Sequence, residues 1–261
     1  MTIGSRNAVL GAPVLIEVLT DGILPTNAAE MIRDRLAPIL GVRAAHSRVR
    51  LTRLSEPGLA RPVVGQLDVR LAQHHLRAQV AAATMPEVGM MLAARAVAQL
   101  RLFPGALAEC LLRHSPTPLP VWFPEMRPPG TRQVARHKMC RPAAITIDEA
   151  IAALEAGDYR FHLFWDRSSG RDSFVVRTGP GRYRLVQAAP DRTHTRAASG
   201  LIELAPALWR TVDEAIARLD LTGAPFEIFA EKATRRVCAL YARYDGHYGL
   251  LGPATQLRLP Y

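Results

Sequence analysis

Apolar positions in the front of the chain repeat first every second residue, then every third or fourth, then every second again. Val14, Ile16 and Val18 alternate with Leu15, Glu17 and Leu19, which predicts a strand buried on at least one face. Pro25 and two capping candidates, Thr26 and Asn27, then precede a stripe of Ala28, Ile32, Leu36, Ile39 and Leu40. Glu30, Arg33 and Asp34 lie off that stripe and Gly41 ends it, the pattern of an amphipathic helix. Three strands follow. Over 46–54, Val49 and Leu51 face one way and Arg48 and Arg50 the other. Val63, Gly65, Leu67, Val69 and Leu71 alternate with Gln66, Asp68 and Arg70. Leu76, Ala78 and Val80 alternate with His75, Arg77 and Gln79. A last helix is predicted from Pro86 to Phe103, since proline is tolerated in a first turn. The order β-α-β-β-β-α predicts one sheet with two helices on one face, an α+β sandwich over residues 1–112.

The rear half repeats itself. An offset of 65 residues, without a gap, aligns Thr146 with Thr211, Asp148 with Asp213, Glu149 with Glu214, Ile151 with Ile216 and Leu154 with Leu219. It continues through Phe161 and Phe226, Phe164 and Phe229, Gly181 and Gly246, Tyr183 and Tyr248, to Leu185 and Leu250. Each copy opens on a capping box, Thr146 with Glu149 and Thr211 with Glu214, so each begins with a helix. Three short strands are predicted after it, with turns at Ser168–Gly170 and Gly179–Gly181 in the first copy and at Asp245-Gly246 in the second. A helix on three strands, an α-β-β-β module, is too small to stand securely alone. The two copies, 141–190 and 211–261 with a connector at 191–210, are therefore expected to pair, in cis or as a homodimer. The aromatic residues Phe161, Phe164, Tyr183, Phe226, Phe229, Tyr241, Tyr244 and Tyr248 are the candidates for that pairing.

Between front and rear, residues 114–130 hold six prolines, which remove amide donors and extend the backbone. Residues 113–140 thus read as a semi-rigid linker, with Trp122 and Phe123 as a covered hinge or a docking point. Charge sharpens this division. The net charge is +10, supplied almost wholly by arginine, since Lys138 and Lys232 are the only lysines. The excess sits in residues 1–112 and 113–145, whereas residues 146–190 and 211–261 are each neutral, so a polyanion should meet the front half and the linker. Cys110, Cys140 and Cys238 are too few and of odd number for a disulfide framework, which favours a reducing compartment. No apolar run is long enough to span a bilayer, and the N-terminal stretch lacks the pattern of a signal peptide.

The chain carries little that suggests catalytic chemistry. There is no phosphate-cradling glycine loop, no G-x-S-x-G and no H-E-x-x-H. His137-x-x-Cys140 has ligand-like spacing, but no second cluster completes a zinc site. His74 and His75 read as turn residues or as RNA contacts. The acidic pairs Asp148-Glu149 and Asp213-Glu214 are explained by helix capping and the helix dipole. No cofactor, metal site or enzyme is expected.

Segments in both halves of the chain carry a family resemblance. GILPTNAAEMIRDRLAPIL (22–40) and HLRAQVAAATMPEVGMMLAARAVAQLR (75–101), with its Leu76-Arg77-Ala78 core, resemble the first helix, last strand and last helix of the ribosome-associated inhibitors and hibernation-promoting factors. YARYDGHYGLLGP, from Tyr241 to Pro253, with the DEAI motifs and HLFWDRSSGRDSFVVRTGPGRYRL, is similar to the C-terminal domain of the long members. Two such domains in tandem resemble the actinobacterial dormancy-associated type. The resemblance implies a cytoplasmic ribosome hibernation factor. Its front domain would bind 16S rRNA at the decoding region of the 30S subunit or 70S ribosome and block the tRNA and mRNA sites. On that reading Arg33, Arg35, Arg48, Arg50, Arg53, Arg70, Arg77, Arg95 and Arg101 are the candidate phosphate contacts. Arg132, Arg136, Lys138 and Arg141 are candidate linker contacts. The last helix carries fewer charges than the resemblance implies, which shifts weight to the linker. A generic RNA-binding translation regulator and a protein-interaction, sigma-factor-modulating module remain as alternatives.

Overall fold

A computed structural model describes residues 15–41, 46–71, 74–101, 124–190 and 201–254. Val14, Phe103, Cys110, Trp122 and Phe123 lie outside them. The chain divides into two compact units.

The first unit runs β1 (Ile16–Asp21), α1 (Ala28–Leu40), β2 (His46–Arg53), β3 (Val63–Leu71), β4 (His74–Ala82) and α2 (Met85–Leu100). The strands pair in the order β1-β2-β3-β4, with β1 parallel to β2 and the rest antiparallel. A parallel first pair needs a crossover, and α1 supplies it. Both helices put their apolar stripes on one face of the sheet. Ile32 and Leu36 of α1 and Val88, Leu92 and Ala96 of α2 are buried with Val49, Leu51, Leu67, Val69, Leu76 and Ala78. Gly65 lets α2 approach: a Cβ there would lie 2.5 Å from Val88 Cγ1 and 2.9 Å from Leu92 Cδ1. Thr84 and Glu87 form a reciprocal capping box at the start of α2. At α1, Asn27 occupies the capping position, but its side chain makes no capping hydrogen bond.

The second unit holds both rear copies. Its elements are β5 (Val134–Cys140), β6 (Ala144–Ile145), α3 (Ile147–Ala156), β7 (Phe161–Asp166), β8 (Arg171–Gly179) and β9 (Arg182–Gln187). These are followed by β10 (Leu201–Pro206), β11 (Leu208–Arg210), α4 (Val212–Thr222), β12 (Phe226–Glu231), β13 (Val237–Ala242) and β14 (Tyr248–Pro253). Both predicted capping boxes close, at Thr146–Glu149 and Thr211–Glu214. The sheets are larger than the three-strand expectation. One runs β10-β9-β8-β7-β6 and the other β11-β12-β13-β14-β5.

The outer strands are exchanged. β5 precedes the first copy in sequence but pairs in parallel with β14 of the second. β10 precedes the second copy but pairs in parallel with β9 of the first. The 65-residue offset carries β5 onto β10 and β14 onto β9, so the exchange is reciprocal. Residues 134–140, read from sequence as the end of a linker, and 201–210, read as connector, are thus strands of the sheets.

Each sheet has one helix-covered face. Phe164, Val175, Tyr183 and Leu185 bury against Ile147, Ile151 and Leu154 of α3. Phe229, Cys238, Leu240, Tyr248 and Leu250 bury against Ala215 and Leu219 of α4. The other two faces pack on each other through Leu163, Phe174, Val176, Val186, Ala230, Val237 and Ala239. The two copies therefore pair within one chain.

Candidate nucleic-acid interface

The helices occupy one face of the first unit's sheet, so period-two alternation sends every second residue of β1–β4 to the open face, which is closed over at one end, where Val64 and Ala81 are buried. Because Val49 and Leu51 are fully buried, Arg48 and Arg50 must point outward, and both are exposed. Register then builds rows across the sheet. Glu17, Arg48, Asp68 and Arg77 form one row; Leu19, Arg50, Gln66 and Gln79 a second; His46, Arg70 and His75 a third.

Two carboxylates are interleaved with these cations. Arg48 Nε donates to Glu17 Oε2 at 2.7 Å, and Arg77 Nε lies 3.9 Å from Asp68 Oδ1. His46 and His75 sit 3.9 Å and 3.7 Å from the same two acids. The Arg48 side chain is 50 % exposed even while paired. Pairs this exposed contribute on the order of 0–1 kcal/mol, so a phosphate can replace the carboxylate at small cost. Arg50 and Arg70 have no ion-pair partner among the described residues.

The nine candidate arginines do not share one surface. Arg48, Arg50, Arg70 and Arg77 lie on the open face. Arg33, Arg35, Arg95 and Arg101 belong to the helix layer on the other side, and Arg53 ends β2 with the parity of the buried Val49 and Leu51. Arg33 Nε donates to the Ile16 carbonyl at 3.2 Å and so helps fasten α1 to β1. His75 is exposed on the open face; the side chain of His74 lies outside the described residues.

The linker candidates also separate. Arg132 is 13 % exposed and is held by Asp220, by the Tyr248 hydroxyl at 3.2 Å and by the Arg127 carbonyl. Burial opposes its charge, and the bonds to Tyr248 and Asp220 outweigh that, so its pKa is raised and it stays ionised as part of the fold. Arg136 and Lys138 are exposed on β5, and Arg141 follows it. His137 and Cys140 cannot converge on a metal: Cys140 packs between the sheets, while His137, three residues away, falls on the opposite face.

Of the aromatic candidates for pairing, Phe161, Phe226 and Tyr241 meet between the two sheets, with ring centroids 4.9 Å apart for Phe161–Phe226 and 6.0 Å for Phe161–Tyr241. Phe164 and Phe229 sit at the other parity of β7 and β12 and, with Tyr183 of β9 and Tyr248 of β14, instead face their own helices. Tyr244 lies in the turn between β13 and β14. Sequence reasoning missed the polar link between the copies, in which Arg236 grips Asp172 through Nε at 2.5 Å and Nη2 at 2.8 Å. It also missed the small residues Ala230 and Ala239 that let the sheets meet. The repeat offset pointed to neither, since Arg236 and Asp172 are not equivalent positions.

The repeated α-β-β-β modules and the β-α-β-β-β-α front unit define a class. The family described as Sigma 54 modulation/S30EA ribosomal protein C terminus matches residues 130–185 and 204–250, one match per copy. The chain belongs to this family of non-catalytic ribosome-associated regulators, in its long, hibernation-promoting form. Its similarity to the "Dormancy associated translation inhibitor" of Mycobacterium tuberculosis, strains CDC 1551 / Oshkosh and ATCC 25618 / H37Rv, is 30 % identity over 252 residues, covering 91 % of this chain and 88 % of the relative. No described helix is long and apolar enough to cross a membrane.

Proposed function

We propose that this chain inhibits translation in the cytoplasm during dormancy or stress by laying the open face of its front sheet on 16S rRNA at the decoding region of the 30S subunit. The observation that carries this is the set Arg48, Arg50, Arg70 and Arg77 on the sheet face opposite the helices. Guanidinium groups spaced by strand geometry suit a phosphate backbone, and the contact is largely blind to sequence. The name of the mycobacterial relative supports the inhibitory outcome. Co-sedimentation with 30S subunits tests it. The wild-type chain should co-sediment and be released by salt, and Arg50→Glu/Arg70→Glu should lose the association. Equal affinity for free RNA and for 30S subunits would favour a generic RNA-binding regulator instead. Retention of RNA polymerase rather than ribosomal proteins in a pull-down would favour a sigma-factor modulator.

The in-chain pairing of the rear copies favours a second, finer reading. A face already covered by its own repeat is not free to pair with another chain. We infer that the protein holds single 70S ribosomes rather than bridging two. Gradient sedimentation of ribosomes with added protein should show 70S without a 100S peak. A 100S peak that depends on residues 211–261 overturns this reading.

A further inference from the structure

The two exchanged strands are equivalent in fold and different in chemistry. The repeat offset sets Arg136 against Leu201, His137 against Ile202, Lys138 against Glu203, and Met139 against Leu204. Each strand lies at the end of its sheet, with no described strand on its other side. The β10 side has its charge satisfied, since Arg184 Nη2 donates to Glu203 Oε2 at 2.9 Å across the register. On β5, Arg136, His137, Lys138 and the following Arg141 are exposed and have no carboxylate partner among the described residues.

The rest of this unit makes that contrast sharp. Arg177 pairs with Glu155, Arg210 with Glu227, Lys232 with Glu214, Arg236 with Asp172 and Arg243 with Asp245. Cations elsewhere in the unit are largely neutralised in place, and β5 presents a row that is not.

An end strand of seven residues presents open backbone donors and acceptors on its free side. Alternation places Arg136 and Lys138 on the side of the inter-sheet core, where Leu251 and Cys140 lie. His137 and the half-exposed Met139 fall on the side of α4, beside Leu250 and Gly252. A strand added here would set alternate side chains beside two cations on one face and beside a thioether on the other. The same cations repel a second copy's β5, so the edge discriminates against itself.

We propose that the β5 edge binds an extended acidic polypeptide segment by strand addition, with acidic residues at alternate positions facing Arg136 and Lys138. The open backbone row favours a peptide over RNA, because a phosphate chain uses the cations but not the peptide donors and acceptors. The tandem arrangement makes the site single. Two separate single-copy chains would present two identical edges, whereas here duplication has let one edge become basic and the other neutral, so one segment binds per chain.

The probe is a fluorescein-labelled octapeptide alternating glutamate and valine, titrated with the full chain and read by fluorescence anisotropy. Three comparisons accompany it: the same peptide N-methylated at alternate residues, an alternating lysine–valine peptide, and labelled oligouridylate. The acidic peptide should bind with one site per chain. Loss of backbone pairing by N-methylation, or the substitution Arg136→Glu/Lys138→Glu, should each weaken it by about tenfold or more. An unchanged thermal midpoint for that variant confirms that its fold is intact. Equal binding of the N-methylated peptide overturns strand addition, and no binding of the acidic peptide overturns the site. Oligouridylate binding that the substitution abolishes, with the peptide inert, assigns the edge to RNA and overturns the proposal. Co-sedimentation of the same variant with 30S subunits reads the front-sheet contact separately.

Discussion

Asp220 accepts hydrogen bonds from Arg132 and from the Tyr248 hydroxyl, at 2.5 Å for the latter, and both charged side chains are mostly withdrawn from water. Removing one member leaves the other charge poorly solvated, so the loss exceeds the net worth of the pair. Asp220→Ala should destabilise the second unit by about 2–3 kcal/mol in urea melts, below the usual figure for a fully buried pair because some exposure remains. Arg132→Met/Asp220→Leu should cost less than the single change. His162 behaves differently. Burial pushes its pKa down, so the unfolded chain takes up a proton before the folded one does. Stability should therefore fall as pH drops below about 6.5 and level off below the folded pKa. Thermal midpoints between pH 7.5 and 5 should show this slope, and His162→Gln should flatten it. Glu149 is held below the usual carboxylate range by the Thr146 amide; Glu214 is held there by Lys232 and then by the Thr211 amide. Their contributions are present above the ordinary carboxylate pKa and are lost only as pH falls through the lower folded values, in a window more acidic than that of His162.

At the scale of elements, the seating of α2 on β3 depends on a residue with no side chain. Gly65→Ala would drive its new methyl into Val88 and Leu92, both fully buried. Overpacking of this kind costs about 1–3 kcal/mol. Denaturant midpoints of the Gly65→Ala chain should fall accordingly, and Val88→Ala in the same chain should recover part of the loss. The fold of this unit was largely legible, because Val49, Leu51, Leu67, Val69, Leu76 and Ala78 keep strict alternation against arginines and polar residues. Capping boxes were legible for the same local reason: three residues suffice to make one. β5 was not legible as a strand. Its sequence, VARHKMC, has no apolar alternation, because an end strand that is exposed over most of its length needs none.

Across the whole rear unit, stability rests on each copy completing the other. A chain ending after Pro190 would keep β5 but lose β14, its partner, and would uncover Leu163, Phe174, Val176 and Val186. Each such side chain contributes roughly 1.5–3 kcal/mol when buried, so the exposed face is not tolerated in a monomer. The truncated chain should dimerise, with β5 of one copy taking the place of β10 beside β9 of the other. Sedimentation equilibrium should give a dimer for it and a monomer for the full chain. A monomeric truncated chain with intact secondary structure would refute the exchange. The candidate interface divides at this scale as well: the arginines were visible as a charge excess, but their distribution over two faces and the strand end was set by which face the helices cover.

Local pattern and repetition, taken alone, determined the front sandwich, the duplication, the helix starts and the burden of positive charge, because each is written in neighbouring residues or in one fixed offset. Tertiary structure alone decided which copy each outer strand joins, which aromatics lie between the sheets, and which arginines are spent internally. Those outcomes depend on partners dozens of residues apart, such as Arg132 with Asp220 and β5 with β14, whose pairing follows from packing and not from any local period.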